Sequence, residues 1–182
     1  MPRLTTADIS RSALFAALIA GGAFVAVPLG PVPFTLQVFA VLLAGMVLGP
    51  RLGVLAVIAY LCLGLLAPVY AGGASGLGTL LGPTGGYLLA FIPAVVLTGY
   101  VATRGVPSLP RLVTAAMLGL VPIYAIGATW LGVHLGLSAG AAVSVGVLPF
   151  VAMDVVKVLL AAAVARSLVS LPLGLPAAQR DH

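Results

Sequence analysis

Long apolar segments, broken at intervals by proline and glycine, constrain the fold of this chain more than any other feature. The segments 34–48, 52–70 and 112–133 contain no acidic or basic residue. Each approaches the length of about 20 residues that a helix needs to cross a bilayer. Of the 182 residues, 62% are hydrophobic and 6% charged, which is more apolar surface than a soluble core of this size can bury. The sequence therefore predicts an all-α membrane protein embedded in the lipid bilayer.

Six segments are predicted to cross the membrane as transmembrane helices of a single domain, 1–182. Their predicted bounds are 12–27, 34–48, 52–70, 87–102, 112–133 and 150–168. Between the last two, the weakly apolar piece 138–146 is interpreted either as a re-entrant half-helix or as the start of the sixth span. A polar tail follows at 172–182.

The arginines predict how these spans are oriented. Six spans place both termini on one side, and all seven arginines then fall on that side. Connections rich in arginine and lysine stay in the cytoplasm. Both termini are therefore predicted to be cytoplasmic, and the connections 28–35, 71–86 and 134–147 to face outward. The arginines are Arg3, Arg11, Arg51, Arg104, Arg111, Arg166 and Arg180.

A carboxylate and an ammonium group stand three residues apart inside the sixth span. Asp154 and Lys157 lie on one helical face, one to two turns from its outer end. A charge within a bilayer costs at least about 2.5 to 3.5 kcal/mol, and ionisable residues kept there usually line a cavity or pathway. A pair that merely neutralises itself is the alternative, but neither residue is needed for spanning. We therefore predict that the pair belongs to a ligand pocket at the outer face.

Two more polar residues stand where the second span begins. The prolines of the stretch 31–33 predict an extended entry to this span. The hydroxyl of Thr35 is suited to cap the helix, and a plain helix start explains this residue equally well. Gln37 carries an amide that needs partners wherever it is buried. We predict that both residues contribute to the same pocket.

The connection 71–86 contains seven glycines and forms either a lid or a flexible connector. Glycine lets backbone N–H groups approach a ligand and provides hinges. The segment lacks the lysine of a phosphate-binding loop, so nucleotide binding is not expected. Gly85, Gly86 and Tyr87, at its end, are predicted to contact the ligand, although Tyr87 also suits an interfacial anchor.

Small residues four apart in the first span form a strip against which another helix can pack. Ala13 and Ala17 are its centre. From the residues alone, packing within the chain and docking of a partner protein are equal alternatives.

Several kinds of chemistry are not expected from this sequence. One cysteine and two histidines are too few for a metal site. No ATP-binding motif is found, so an ATP-driven step would depend on other chains. The net charge of +5 is not gathered into a basic patch with interleaved aromatics, so nucleic acid is not a predicted partner. We predict a binding protein with no cofactor, and not an enzyme.

Three motifs, in this order, resemble the BioY family, the biotin-specific substrate-binding (S) component of energy-coupling factor (ECF) transporters. They are PFTLQ at 33–37, GPTGGY at 82–87, and PF at 149–150 followed by DVVK at 154–157. The resemblance covers the whole chain and implies biotin uptake across the cell membrane of a prokaryote. It implies Asp154 and Lys157 as the binding pair. It also implies that Ala13 and Ala17 dock on a transmembrane coupling protein, which two ATPase subunits drive.

The chemistry of biotin suits the predicted pocket. Asp154 would accept a hydrogen bond from a ureido N–H, and Lys157 would donate to the ureido oxygen or to the carboxylate. Gln37 and Thr35 would complete the polar contacts, and Tyr87 or other loop aromatics would cover the rings. Because the outer connections contain no arginine or lysine, we expect the acid tail to point toward water and to be held mainly by loop backbone. Dethiobiotin is an alternative ligand, and a solitary homo-oligomer is an alternative to the coupled assembly.

A rhomboid-like intramembrane serine protease is the alternative from another class. The stretch 73–76 reproduces the Gly-x-Ser-Gly pattern around Ser75, and His134 is followed by Leu-Gly. This interpretation requires a histidine within hydrogen-bond reach of the nucleophile. It is disfavoured by the position of Ser75 in a long connection, since the rhomboid nucleophile opens a membrane helix.

Overall fold

A computed structural model describes residues 4–170, which are mostly helical. Five helices of this part are long and apolar enough to cross a membrane: α1, α2, α4, α5 and α7. The predicted tail and two of the arginines, Arg3 and Arg180, lie outside the described residues. In chain order the elements are α1 (Thr6–Phe24), β1 (Ala26–Leu29), β2 (Val32–Thr35), α2 (Gln37–Leu66), a 3₁₀ turn (Ala71–Gly73), α3 (Gly76–Leu81), α4 (Gly85–Ala102), α5 (Leu109–Leu135), α6 (Ala139–Gly146) and α7 (Leu148–Val169).

A capping box starts α1 at Thr6 rather than at residue 12. The Thr5 hydroxyl accepts the backbone N–H of Asp8 at 3.2 Å, and the Asp8 carboxylate accepts the backbone N–H of Thr5 at 3.0 Å. These bonds satisfy N–H groups that a helix start leaves unpaired. The polar residues before residue 12 are therefore helical as well.

The predicted extended entry to the second span is one strand of a β-hairpin. β1 and β2 pair antiparallel, from Ala26 opposite Thr35 to Leu29 opposite Val32. Gly30 begins the two-residue turn with φ +80°, a conformation that glycine adopts without steric cost. The hairpin fixes where β2 meets the start of α2.

Helix α2 folds back on itself at Gly49. This residue has φ 74° and ψ 179°, and Pro50 follows it without a backbone N–H. Gln37 donates a side-chain hydrogen bond to the hydroxyl of Tyr60, although a straight helix would separate the two residues by about 35 Å. The arms 37–48 and 50–66 are therefore antiparallel, and they match in position the predicted second and third spans.

The arm 37–48 lies at the centre of the bundle. Every residue from 40 to 49 is buried, and α2 packs against α1, α4 and α7. Glycine permits the closest approach here, since a Cβ on Gly45 would lie 2.9 Å from the Cβ of Thr98.

One end of the bundle carries a group of arginines, and we call it the arginine end. The hydroxyl of Ser12 donates to the carbonyl of Leu52 at 3.2 Å, so the start of α1 lies beside the bend of α2. The end of α4 and the start of α5 are joined by a bond from the Arg111 side chain to the Arg104 carbonyl. The arginines in these segments are Arg11, Arg51, Arg104 and Arg111.

The piece 138–146 is a separate short helix. Ser138 caps α6 by accepting the backbone N–H of Ala141 at 3.3 Å. The backbone leaves the helical conformation at Val147 (φ −127°, ψ −59°), and Pro149 stands in the first turn of α7. With eight residues, α6 is too short to cross a membrane.

Candidate ligand-binding site

A cavity of about 270 Å³ lies at the end of the bundle away from the α2 bend. Its volume is near the lower end of the range of small-molecule sites. Apolar residues of β2, α4, α5 and α7 form part of the wall. The polar side chains of the wall are those of Thr35, Gln37, Tyr70, Thr79, Thr84, Tyr87, Tyr124, Asp154 and Lys157.

The ion pair of α7 faces this cavity. The Nζ of Lys157 lies 2.6 Å from Oδ1 of Asp154, and the hydroxyl of Tyr124 donates to Oδ2 at 2.6 Å. Asp154 is 2% exposed and Lys157 4%. Each carboxylate oxygen therefore has one donor from the protein and keeps further acceptor capacity. Such partners are needed because a buried charge without them is strongly destabilising.

The ammonium group of Lys157 also contacts the hairpin. Its Nζ lies 3.8 Å from the ring centroid of Phe34, in β2. A cation over an aromatic face is stabilised electrostatically. The ion pair with Asp154 and this ring contact together compensate the charge of Lys157. The pair thus presents to the cavity a donor and an acceptor side by side, with no net charge.

Gln37 is held in a fixed orientation at the start of α2. Its Oε1 accepts from the hydroxyl of Thr35 at 3.0 Å, and its backbone N–H donates to the same hydroxyl at 3.3 Å. The amide nitrogen donates to Tyr60, whose ring packs edge-to-face on Tyr70 at 5.6 Å. Gln37 is 3% exposed and lines the cavity. Because an amide carries two N–H groups, one donor remains for a ligand.

The predicted residues of the glycine-rich connection divide into two groups. Tyr87 lines the cavity, and its hydroxyl donates to the carbonyl of Gly146 at 2.8 Å. Gly85 and Gly86 are buried but are not part of the cavity wall. A Cβ on Gly86 would overlap Trp130, and a Cβ on Gly85 would overlap the carbonyl of Leu80. These two glycines set the distance of α4 from α3 and α5.

The last turns of helix α5 hold the glycine-rich connection. The indole N–H of Trp130 donates to the carbonyl of Gly82 at 2.9 Å, and Nε2 of His134 lies 2.8 Å from the carbonyl of Leu81. The two rings stack with centroids 5.0 Å apart. The held segment supplies Thr79 and Thr84 to the cavity wall. Two side chains of α5 thus hold a segment that forms part of the cavity wall.

The BioY family model matches residues 1–172. This chain belongs to the BioY family. The probable biotin transporter BioY of Pyrococcus horikoshii is 46% identical over 162 residues, which cover 88% of this chain and 95% of that protein. The biotin transporter BioY of Thermotoga maritima is 42% identical over 159 residues, 87% of this chain and 93% of that protein.

A solved structure agrees with this membership in the BioY family. The crystal structure of the S-component for biotin from an ECF-type ABC transporter matches with a TM-score of 0.84. The match has 29% sequence identity and covers 91% of this chain and 94% of that one. The resemblance predicted from the three motifs is therefore confirmed at the level of the family.

The protease alternative has no support in this BioY chain. Ser75 is exposed and precedes α3, and its carbonyl accepts from the Thr79 hydroxyl at 3.0 Å. Both ring nitrogens of His134 face backbone carbonyls, of Leu81 and of Trp130. In residues 4–170, the only histidine is therefore engaged away from Ser75.

The predicted docking strip lies on the outer surface of α1 in this BioY chain. Ala13 and Ala17 are exposed, whereas the neighbouring Phe15, Ala16 and Ile19 are buried in the core. Within the described residues, packing inside the chain therefore does not account for the strip.

Three aromatic residues that contact the polar side chains of the site were not predicted from the sequence to do so. Tyr124 and Tyr60 stand inside apolar segments, and a tyrosine there needs a partner for its hydroxyl. The need for a partner indicates that these tyrosines lie near polar groups. It does not indicate that Tyr124 contacts Asp154 and Tyr60 contacts Gln37. The third, Phe34, belongs to a recognised motif, and its ring contact with Lys157 follows from the unpredicted hairpin.

Proposed function

We propose that this chain is the biotin-binding component of an ECF-type transporter and that it takes up biotin. The observation that carries the proposal is the ion pair of Asp154 and Lys157, which has no net charge and faces a cavity in a member of the BioY family. The curated relatives are named biotin transporters, and the solved neighbour is an S-component for biotin. The cavity chemistry supports the same ligand.

The cyclic urea of biotin matches the polar groups of the cavity. Asp154 accepts from a ureido N–H with the acceptor capacity left on its two oxygens. Lys157 and the second amide N–H of Gln37 donate to the ureido oxygen. Thr35 acts by orienting Gln37, since both of its hydrogen bonds go to that residue. Tyr87, Phe91 and Phe150 cover the apolar rings.

In the proposed topology the chain crosses the membrane six times as one domain, with both arms of α2 as crossings. The arginines of one end then lie in the cytoplasm together with both termini, and the cavity opens to the outer face. This arrangement fits the cell membrane of a prokaryote and capture of biotin from outside. Four helices and the fold-back at Gly49 support it.

The proposed partners are the transmembrane coupling protein and two ATPase subunits. The exposed strip of Ala13 and Ala17 supports docking along α1, because small residues allow a partner helix to approach closely. No cofactor is required of this chain, and ATP is hydrolysed by the partners.

Uptake of radiolabelled biotin tests this function. The chain is produced in a biotin-auxotrophic bacterium whose own importer is deleted, with and without the coupling protein and ATPases. We expect uptake that requires this chain and increases with the partners, and that falls when the ATPases carry an inactivating lysine substitution in their phosphate-binding loop. Uptake by the chain alone would favour the solitary form. No uptake in either strain, despite folded protein in the membrane, contradicts the proposal.

A further inference from the structure

The cavity holds one cation, and that cation is already engaged. Among the described residues that line the cavity, Lys157 alone carries a positive charge. Its Nζ lies 2.6 Å from Asp154 and 3.8 Å from the ring of Phe34. A ligand carboxylate placed here would meet a pair of zero net charge and lie close to the Asp154 carboxylate, which repels it. The site at the pair therefore favours a neutral group that both donates and accepts.

The pair and the segment 71–84 contribute different parts of the cavity wall. Asp154, Lys157 and Gln37 are at most 4% exposed, whereas Ala71 and Thr79, which also line the cavity, are partly buried. A ligand whose urea contacts the pair therefore directs its carboxylate tail toward the segment 71–84.

That segment offers little to a carboxylate. In the described chain it contains no arginine or lysine. The hydroxyl of Thr79 donates to the carbonyl of Ser75 at 3.0 Å, and the backbone N–H groups of Gly73 and Ala74 donate to the carbonyls of Tyr70 and Ala71. The hydroxyl of Tyr87 donates to Gly146. These donors are therefore already engaged within the protein, and with no arginine or lysine in the segment a carboxylate here finds no opposite charge that would compensate the loss of its water.

We infer that the site recognises the urea end of biotin and not its acid end, so that biotins modified at the carboxyl group, such as amides and esters, are ligands of the same site. This inference rests on the proposed function. Its physical basis is that affinity comes from groups buried with the ligand, whereas a group that stays hydrated on both sides of the equilibrium contributes little.

Competition binding tests the inference. Tritiated biotin on the detergent-purified chain is displaced by unlabelled biotin, biotinamide and biotin methyl ester, with lipoic acid as the matched control that keeps the acid tail but lacks the urea. We expect the amide and the ester to bind within about tenfold of biotin, and lipoic acid to bind at least about 100-fold more weakly. If the amide and the ester both lose about 100-fold or more, the inference is wrong.

A lysine variant shows which end of the ligand Lys157 contacts. In Lys157→Gln, biotin and biotinamide should weaken by the same factor, because the lost donor served the urea. A loss confined to biotin would assign Lys157 to the carboxylate and overturn the inference. If the variant does not fold, the comparison of acid and amide on the parent chain decides alone. If the folded parent chain does not bind biotin, the proposed function is overturned as well. If it binds biotin but not biotinamide, only the inference is overturned.

Discussion

The hydroxyl of Tyr124 donates to the carboxylate of Asp154 at 2.6 Å, across the contact between α5 and α7. The Nζ of Lys157 donates to the other oxygen of this carboxylate, also at 2.6 Å. The carboxylate is thereby oriented from two helices, and its remaining acceptor capacity is directed to the cavity. The acceptor that we propose for the ureido N–H is thus preorganised before a ligand arrives.

Replacing Tyr124 with phenylalanine should weaken biotin binding while leaving the ion pair in place. The change removes one hydrogen bond to a charged group, and we expect a loss of about tenfold, or about 1.4 kcal/mol. Isothermal titration calorimetry on the purified variant measures it. Tyr100→Phe, at an exposed tyrosine near Arg104, is the control and should bind as the parent does. Equal affinity in Tyr124→Phe and the parent contradicts an orienting role.

Removing one member of the ion pair should destabilise the fold more than removing both. Asp154→Ala leaves Lys157 buried without its partner, which costs about 3 to 5 kcal/mol. The double variant Asp154→Leu/Lys157→Met leaves no charge in the cavity wall and should recover most of the thermal stability, but not biotin binding. Thermal unfolding in detergent, followed by tryptophan fluorescence, measures the stability of the two variants and of the parent chain. A double variant as unstable as Asp154→Ala would show that the pair acts through more than charge compensation.

Replacing Trp130 with phenylalanine should speed the release of biotin. The variant loses the hydrogen bond to the Gly82 carbonyl but keeps an aromatic ring, so the segment 71–84 is held less firmly. We expect a dissociation rate several-fold higher, with a smaller change in the association rate. Chase of bound tritiated biotin with unlabelled biotin measures it. Val133→Ala, at an exposed residue nearby, serves as control, and equal dissociation rates in the two variants would speak against a retaining role.

Alanine at Gly86 should destabilise the protein, whereas alanine at Gly78 should not. A Cβ at Gly86 would overlap the side chain of Trp130, and a Cβ at Gly78 would meet nothing within 4 Å. Overpacking costs about 1 to 3 kcal/mol, while glycine to alanine in an unobstructed helix is neutral or slightly stabilising. Thermal unfolding of the two variants in the same detergent compares them. Equal stability would mean that α4 and α5 can move apart without cost.

The residues with the strongest local signals were predicted, and those that depend on tertiary contacts were not. Asp154 and Lys157 are conspicuous because charges are costly in an apolar span, and helical spacing places them on one face. Gln37 and Thr35 were indicated by a polar helix start after prolines. Each of these signals lies within a few residues of sequence, and all four side chains line the cavity.

The fold-back of α2 and the hairpin illustrate where sequence reasoning reaches its limit. A break at Gly49 and Pro50 was evident, but the contact between Gln37 and Tyr60 depends on how the two arms pack. The stretch before Gln37 was predicted to be extended, but its pairing with β1 was not, because two strands of four residues, each with one proline, carry little strand signal. Gly85 and Gly86 illustrate the converse, since glycine permits both ligand contact and close helix packing, and the sequence does not distinguish them.

The most direct test of the central claim is equilibrium binding of biotin to the detergent-purified chain, measured by titration calorimetry together with Asp154→Asn. The account predicts tight binding with one biotin per chain, weakened by about tenfold or more in Asp154→Asn, and unchanged in the control Asp8→Asn at the arginine end. Absence of binding to a folded parent chain, or equal affinity in the parent and in Asp154→Asn, would contradict it.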